Sequence, residues 1–161
     1  MQKNDEVFLE RAADDDAAEI ANLYLASRAD ALPFLRRVHT DDEVRVWVRN
    51  VLLTRGETCV ARLNGSVVGF VTLIGDELDQ LYLLPGHYRR GIGSLLLAKA
   101  KERSPGRLHL FTFQRNERAR AFYEAHGFRI VGLNDGSRNE EGEPDVLYEW
   151  QAASPEVKSA D

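Results

Sequence analysis

Residues 81–94, Leu-Tyr-Leu-Leu-Pro-Gly-His-Tyr-Arg-Arg-Gly-Ile-Gly-Ser, bring two arginines and a Gly-x-Gly to the start of an apolar helical pattern. The free N–H groups of a helix's first turn carry about half a positive charge and bind phosphate readily. Gly91 and Gly93 have no Cβ to hold an anion off the backbone, and Arg89 and Arg90 add charge. The stretch Arg89-Arg90-Gly91-Ile92-Gly93-Ser94 therefore reads as a pyrophosphate cradle. A tight turn with solvated arginines is the plainer reading. Two familiar phosphate loops do not fit. A P-loop needs Gly-Lys-Ser/Thr, whereas Ser94-Leu95 follows Gly93. A dinucleotide fingerprint needs a glycine three residues beyond Gly93, where Leu96 stands.

A second constellation follows, from Asn116 to Phe128. Ala119, Phe122, Tyr123 and His126 recur at i, i+3, i+4, i+7 and share one helical face. Turned inward, that face carries the Tyr123 hydroxyl toward the cradle. A core tyrosine satisfied by a carbonyl is the alternative. Other reactive side chains are sparse. Cys59 is the lone cysteine, which rules out an internal disulfide and a cysteine-based metal site, and its strand context reads as a buried thiol. His39, His87, His109 and His126 show no metal-ligand spacing, so no metal is expected.

These residues need elements to position them. "VFLERAA" alternates as a first strand, and aspartates 14–16 cap a helix with Ile20, Leu23 and Tyr24 at helical spacing. Residues 31–39 read as an irregular loop. Thr40 and Glu43 have capping-box spacing and start a second helix toward Leu53. "ETCVARL" and "SVVGFVTLIG" flank Asn64-Gly65 as a hairpin. "ELDQLYLL" is a fourth strand. A helix from Ile92 to Arg103 follows, with Ile92, Leu95, Leu96, Ala98 and Ala100 apolar. "RLHLFTFQ" is a fifth strand, the next helix ends at Gly127, and "FRIVGL" and "VLYEW" pair around the polar loop 134–145. The order is α/β: a mixed, mostly antiparallel sheet of about seven strands with four helices, whose fourth and fifth strands run parallel.

The 161 residues fit one domain, taken as 1–150, with 151–161 as a loose tail. Hydrophobic residues make up 43% and charged residues 29%, as in a soluble globular protein. The net charge of −5 argues against nucleic acid. No apolar run spans a membrane, and the acidic N-terminal stretch lacks a signal-peptide pattern, so a cytoplasmic protein is expected.

Together the two constellations resemble the GNAT superfamily of acyl-CoA-dependent N-acyltransferases, over roughly residues 5–150. The first resembles its acyl-CoA motif, with Pro85 and then Arg89 to Ser94 opening a helix. The second resembles its following motif through Asn116, Ala119, Phe122-Tyr123 and Gly127-Phe128. One departure is Tyr88, where the family often has Gln or Arg.

The resemblance implies a sheet whose strands four and five splay apart at a bulge. It implies an N-acetyltransferase that takes acetyl-CoA in the splay. Leu81, Tyr82 and Leu83 would line the pantetheine arm, residues 89–94 would hold the pyrophosphate, and Asn116 would bond the pantetheine or acetyl end. A backbone N–H near Leu83, at the bulge, would meet the oxyanion, and Tyr123 would protonate the departing thiolate. Some members place a glutamate where this chain has Phe111, so the base falls to Asp79 first, then Glu77, or to a water relay. The acceptor would be a primary amine on a cationic small molecule or peptide. A non-catalytic acyl-CoA-binding or sensing module is the rival, and a homodimer is allowed. The loop acids Asp135, Glu140, Glu141, Glu143 and Asp145 would form an acidic rim near the acceptor, with His39 on the same side.

Overall fold

The computed structural model describes residues 6–88 and 90–153. The strands are β1 (Val7–Arg11), β2 (Glu57–Leu63), β3 (Ser66–Ile74), β4 (Glu77–Leu83), β5 (Arg107–Phe113), β6 (Arg129–Asn134) and β7 (Asp145–Gln151). The helices are α1 (Ala17–Ala31), α2 (Asp41–Trp47), α3 (Leu53–Arg55), α4 (Ile92–Arg103) and α5 (Glu117–Ala125). All seven strands form one sheet in the order β1-β2-β3-β4-β5-β7-β6. Every pairing is antiparallel except β4 with β5. Among the described residues no helix is long and apolar enough to cross a membrane.

Local chemistry explains the boundaries. Asn64 and Gly65 both have positive φ, 51° and 84°, as a two-residue hairpin turn requires. Thr40 Oγ1 accepts from Glu43 N at 3.2 Å, and the Glu43 carboxylate accepts from Thr40 N at 3.2 Å, which completes the capping box. The helix so started does not run regularly to Leu53. From Val48 to Leu52 it widens into a π-helical segment before α3, with Leu53 N reaching back to Val48 O. The three pieces form one continuous helical run, so the helical bodies among the described residues number four, and Val44, Val48 and Leu52 are all buried along it. α5 ends as Gly127 suggests. Its φ is 88°, Phe128 N donates to Tyr123 O at 3.0 Å, and Gly127 N donates to Glu124 O at 3.3 Å.

Two apolar clusters lie on the two faces of the sheet. α1 and the α2–α3 run cover one face with Ile20, Leu23, Val44, Val48 and Leu52 against Val60, Val67 and Phe70. α4 and α5 cover the other with Ile92, Leu96, Leu97, Ala100 and Tyr123. The buried stripe of α4 includes Leu97, while Leu95 is 46% exposed, so the apolar face expected from the sequence is rotated. β7 runs to Gln151, and Ala152 N donates to Gly106 O at 2.7 Å, so order extends past Trp150. The rest of the expected tail, 154–161, lies outside the described residues.

Candidate active site

The parallel pair that should splay does so at once. β4 and β5 share one residue pair, Glu77 opposite His109, with His109 N donating to Asp76 O at 2.9 Å. Beyond it the strands part. Leu84 N donates to Val68 O, so the alternation of an antiparallel ladder directs Tyr82 to β3 as well. The backbone N–H and C=O of Leu81 and Leu83 therefore face the gap. The bulge, however, is not near Leu83. The register steps from Thr72↔Gln80 to Leu73↔Leu78, which makes Asp79 the extra residue of β4. Side chains sort by face: Leu81 and Leu83 pack with the α4 cluster, but Tyr82 lies on the α1 face against Tyr24 and Phe70. Tyr82 can line the gap through its backbone, while its ring belongs to the opposite cleft.

α4 opens beside this gap. Gly91 is its N-cap with φ 79°, and no side chain caps the helix. Leu95 N donates to Gly91 O, which leaves the first-turn N–H groups before it free for an anion. A Cβ on Gly91 would meet nothing within 4 Å. Gly93 plays another part, since its Cβ position faces Phe122 at 3.4 Å and Leu83 at 3.6 Å. These are ordinary packing distances against α5 and β4. The Ser94 side chain also meets the His126 ring at the end of α5. His126 Nδ1–H donates to Phe122 O at 2.7 Å, so its Nε2 accepts from Ser94 Oγ at 3.0 Å. The first turn of α4 thus offers backbone N–H groups, with Arg90 exposed beside it. Arg89 lies outside the described residues.

Tyr123 is buried among Phe122, Phe128 and Tyr148. Burial, then the neighbouring Tyr82 hydroxyl, pushes its phenol well above the usual tyrosine range, so it stays protonated. Asn116 caps α5, its Oδ1 accepting from Ala119 N at 3.2 Å. The carboxamide NH₂ is left as the donor. On β4, burial raises the Asp79 carboxyl above its ordinary range, against the opposing effects of Gln80 and Arg55. Burial and then the Asp79 charge raise Glu77. Cys59 is half-buried with its thiol pushed up by burial, as expected of a structural thiol.

Residues 12–128 match the Acetyltransferase (GNAT) family. The chain belongs to this family. It is 32% identical over 125 residues to the peptidyl-lysine N-acetyltransferase YiaC of Escherichia coli, covering 77% of this chain and 84% of that one. An uncharacterized N-acetyltransferase of Mycobacterium bovis is 42% identical over 81 residues, 45% of this chain and 52% of its own length. The fold matches the solution structure of apo YjaB from Escherichia coli with TM-score 0.75 and 23% identity, covering 92% of this chain and 99% of that one. It also matches PaiA N-acetyltransferase of Thermoplasma acidophilum, solved in complex with coenzyme A, with TM-score 0.68 and 18% identity over 91% and 99% of the two chains.

This GNAT acetyltransferase has a cleft of about 1590 Å³ between α1, α2, the loop 32–39 and the loop before β7. It brings together the two segments noted in the sequence. His39 bonds Glu140 at 2.7 Å and Glu43 at 3.2 Å. Arg28 donates to Glu141 at 3.0 Å and to the Tyr82 hydroxyl at 3.2 Å, with its guanidinium over the Tyr24 ring. Arg115 pairs with Glu143 and stacks on Phe34. Three of the five loop acids, Glu140, Glu141 and Glu143, are therefore paired, and the rim attracts cations less than its formal charge suggests. Arg28 had a signal in the sequence, since it lies one helical turn after Tyr24. Its link to the loop, 113 residues away, had none.

Proposed function

We propose that this GNAT protein transfers the acetyl group of acetyl-CoA to a primary amine, by direct attack in a ternary complex without metal or covalent enzyme intermediate. The observation that carries the reading is the fork: backbone groups of Leu81 and Leu83 face a gap that ends at the uncapped N-terminus of α4. Unpaired strand edges need a partner, and a pantetheine amide is one. Bound there, acetyl-CoA supplies an activated thioester with a fair leaving group. The first-turn backbone of α4, with Arg89 and Arg90, holds the pyrophosphate. The Asn116 carboxamide donates to the pantetheine or acetyl end. The Leu83 N–H faces the developing oxyanion.

The amine must arrive without its proton, because an alkylammonium has pKa about 10.4. Asp79, its carboxyl raised above the ordinary range by burial, is the first choice of base, with Glu77 beside it. Tyr123, held protonated, gives its proton to the thiolate. A lysine side chain in a peptide is the first acceptor to try, because it is what the name of the Escherichia coli relative specifies. Small cationic amines come next.

Thermal shift with acetyl-CoA against ATP tests the cradle, followed by CoA release on a panel of lysine peptides, polyamines and amino sugars. Stabilisation by acetyl-CoA and release on one amine class are expected. Tight CoA binding with no release on any amine would favour an acyl-CoA-binding module, and stabilisation by ATP alone would remove the cofactor assignment.

A further inference from the structure

Of the three arginines around the start of α5, two have polar partners. Arg115 pairs with Glu143, and Arg120 donates to the Tyr148 hydroxyl at 3.1 Å and to Gln114 O at 3.2 Å. Arg118, between them, is exposed and has no hydrogen bond or ion pair among the described residues. Its guanidinium instead stands over the Tyr88 ring, 4.8 Å from the centroid. This contact bridges the two arms of the fork. Tyr88 lies five residues past the end of β4, and Arg118 five past the end of β5. A second contact fixes the place. Arg118 and Phe122 are one turn apart on the same face of α5. Phe122 comes to 3.4 Å from the Cβ position of Gly93, in the first turn of α4. Arg118 is therefore held beside the start of α4 from two sides, by Tyr88 three residues before Gly91 and by Phe122 against Gly93.

Tyr88 brings a ring to this place and no charge. On a bare surface such a pair would be a solvated arginine and nothing more. Here the donors are free and the neighbour is the uncapped start of a helix. A guanidinium held over a ring keeps its N–H edge open, and that edge matches two phosphate oxygens at once. The ring also holds the side chain near one position, so less freedom is lost on binding. We propose that Arg118 is a phosphate-binding residue of the acetyl-CoA site, donating two N–H groups to the pyrophosphate while Tyr88 serves as its platform. The inference rests on the reading of acetyl-CoA as co-substrate with its pyrophosphate at α4. It adds to that backbone site a cation from the helix after β5, so both arms of the fork hold the cofactor at the open end. Tyr88 acts only through Arg118 and is a positioning residue.

The test is titration calorimetry on the full chain with acetyl-CoA and with its 3′-dephospho analogue, which keeps the pyrophosphate and lacks the other phosphate. Arg118→Gln changes an exposed side chain and should melt with the wild type. Its Kd for both ligands should rise about tenfold, the loss of a charge-assisted hydrogen bond. Added salt should weaken the wild type more than the variant. Tyr88→Leu, or Tyr88→Met should the leucine variant not fold, should weaken binding in the wild-type background and no further in the Arg118→Gln background. Arg118→Gln binding as tightly as the wild type overturns the proposal. A loss seen with acetyl-CoA and absent with the 3′-dephospho analogue overturns the pyrophosphate contact. Losses that simply add in the double variant overturn the platform. A wild type that binds neither ligand overturns the co-substrate reading, and the Arg118 contact with it.

Discussion

Tyr123 has a buried ring and a hydroxyl without a hydrogen-bond partner among the described residues. Removing that hydroxyl should therefore cost no protein hydrogen bond. Tyr123→Phe is expected to melt with the wild type and bind acetyl-CoA within a few-fold, while kcat falls by about 10²–10⁴-fold. Melting temperature and kcat measured on one preparation check this, and wild-type turnover would remove Tyr123 from the mechanism. Asp79 predicts the opposite combination. Its folded pKa is raised, so its contribution to stability is present below the ordinary carboxylate range and is lost as pH rises through the raised value. At neutral pH the ionised group is a burden on the fold. Asp79→Asn should raise the melting temperature at pH 7 and leave it unchanged at low pH, while kcat/KM drops and the acid limb of its pH profile disappears.

The element that matters most to the proposed reaction is α4, because its first turn is the proposed cradle. Gly91→Glu adds a negative charge at the N-cap and a side chain where φ is 79°, at a backbone cost of about 1–2 kcal/mol. Its Cβ meets no neighbour, so the variant should fold and lose acetyl-CoA binding, as titration calorimetry would show. Gly69, on β3, sets how closely α4 lies on the sheet. A Cβ there would stand 2.8 Å from Leu83 and 2.9 Å from Leu96. Gly69→Ala should cost about 1–3 kcal/mol in urea unfolding from overpacking.

The loop before β7 carries the pH dependence. The Glu140 and then the Glu43 hydrogen bonds raise His39, with Arg37, Asp41 and Asp42 as further charged neighbours. A raised histidine contributes fully below about 6.5, and the contribution is lost as pH rises through the higher folded value. Amide exchange in residues 135–144, corrected for its intrinsic rate, should quicken across that window and show no such step in His39→Gln.

For the whole molecule, acetyl-CoA should join what the fork leaves apart, since β4 and β5 hold each other through one residue pair. At a hundredfold excess over Kd the ligand stabilises by about 2.7 kcal/mol. At about 2–4 °C per kcal/mol for a chain of this size, the melting temperature should rise by about 5–10 °C. A shift below 1 °C at saturating acetyl-CoA would contradict the binding site.

The elements and the start of α4 were legible in the sequence because they depend on neighbours a few residues apart. The capping box at Thr40, the Asn64-Gly65 turn, the Gly91 start of α4 and the Gly127 end of α5 are local backbone chemistry, and all four stand where their residues suggest. The parallel β4–β5 pair followed from the crossing helix. What needed tertiary structure were matters of facing and register. The bulge falls at Asp79 and not near Leu83, because a register step is decided by the packing of Leu78 and Gln80 on opposite faces. Gly93 and Ser94 serve the α4–α5 contact because α5, fixed by its own packing, occupies the space beside them. The loop acids meet Arg28, His39 and Arg115 across as many as 113 residues, and no spacing in the chain encodes an ion pair that only the folded cleft assembles.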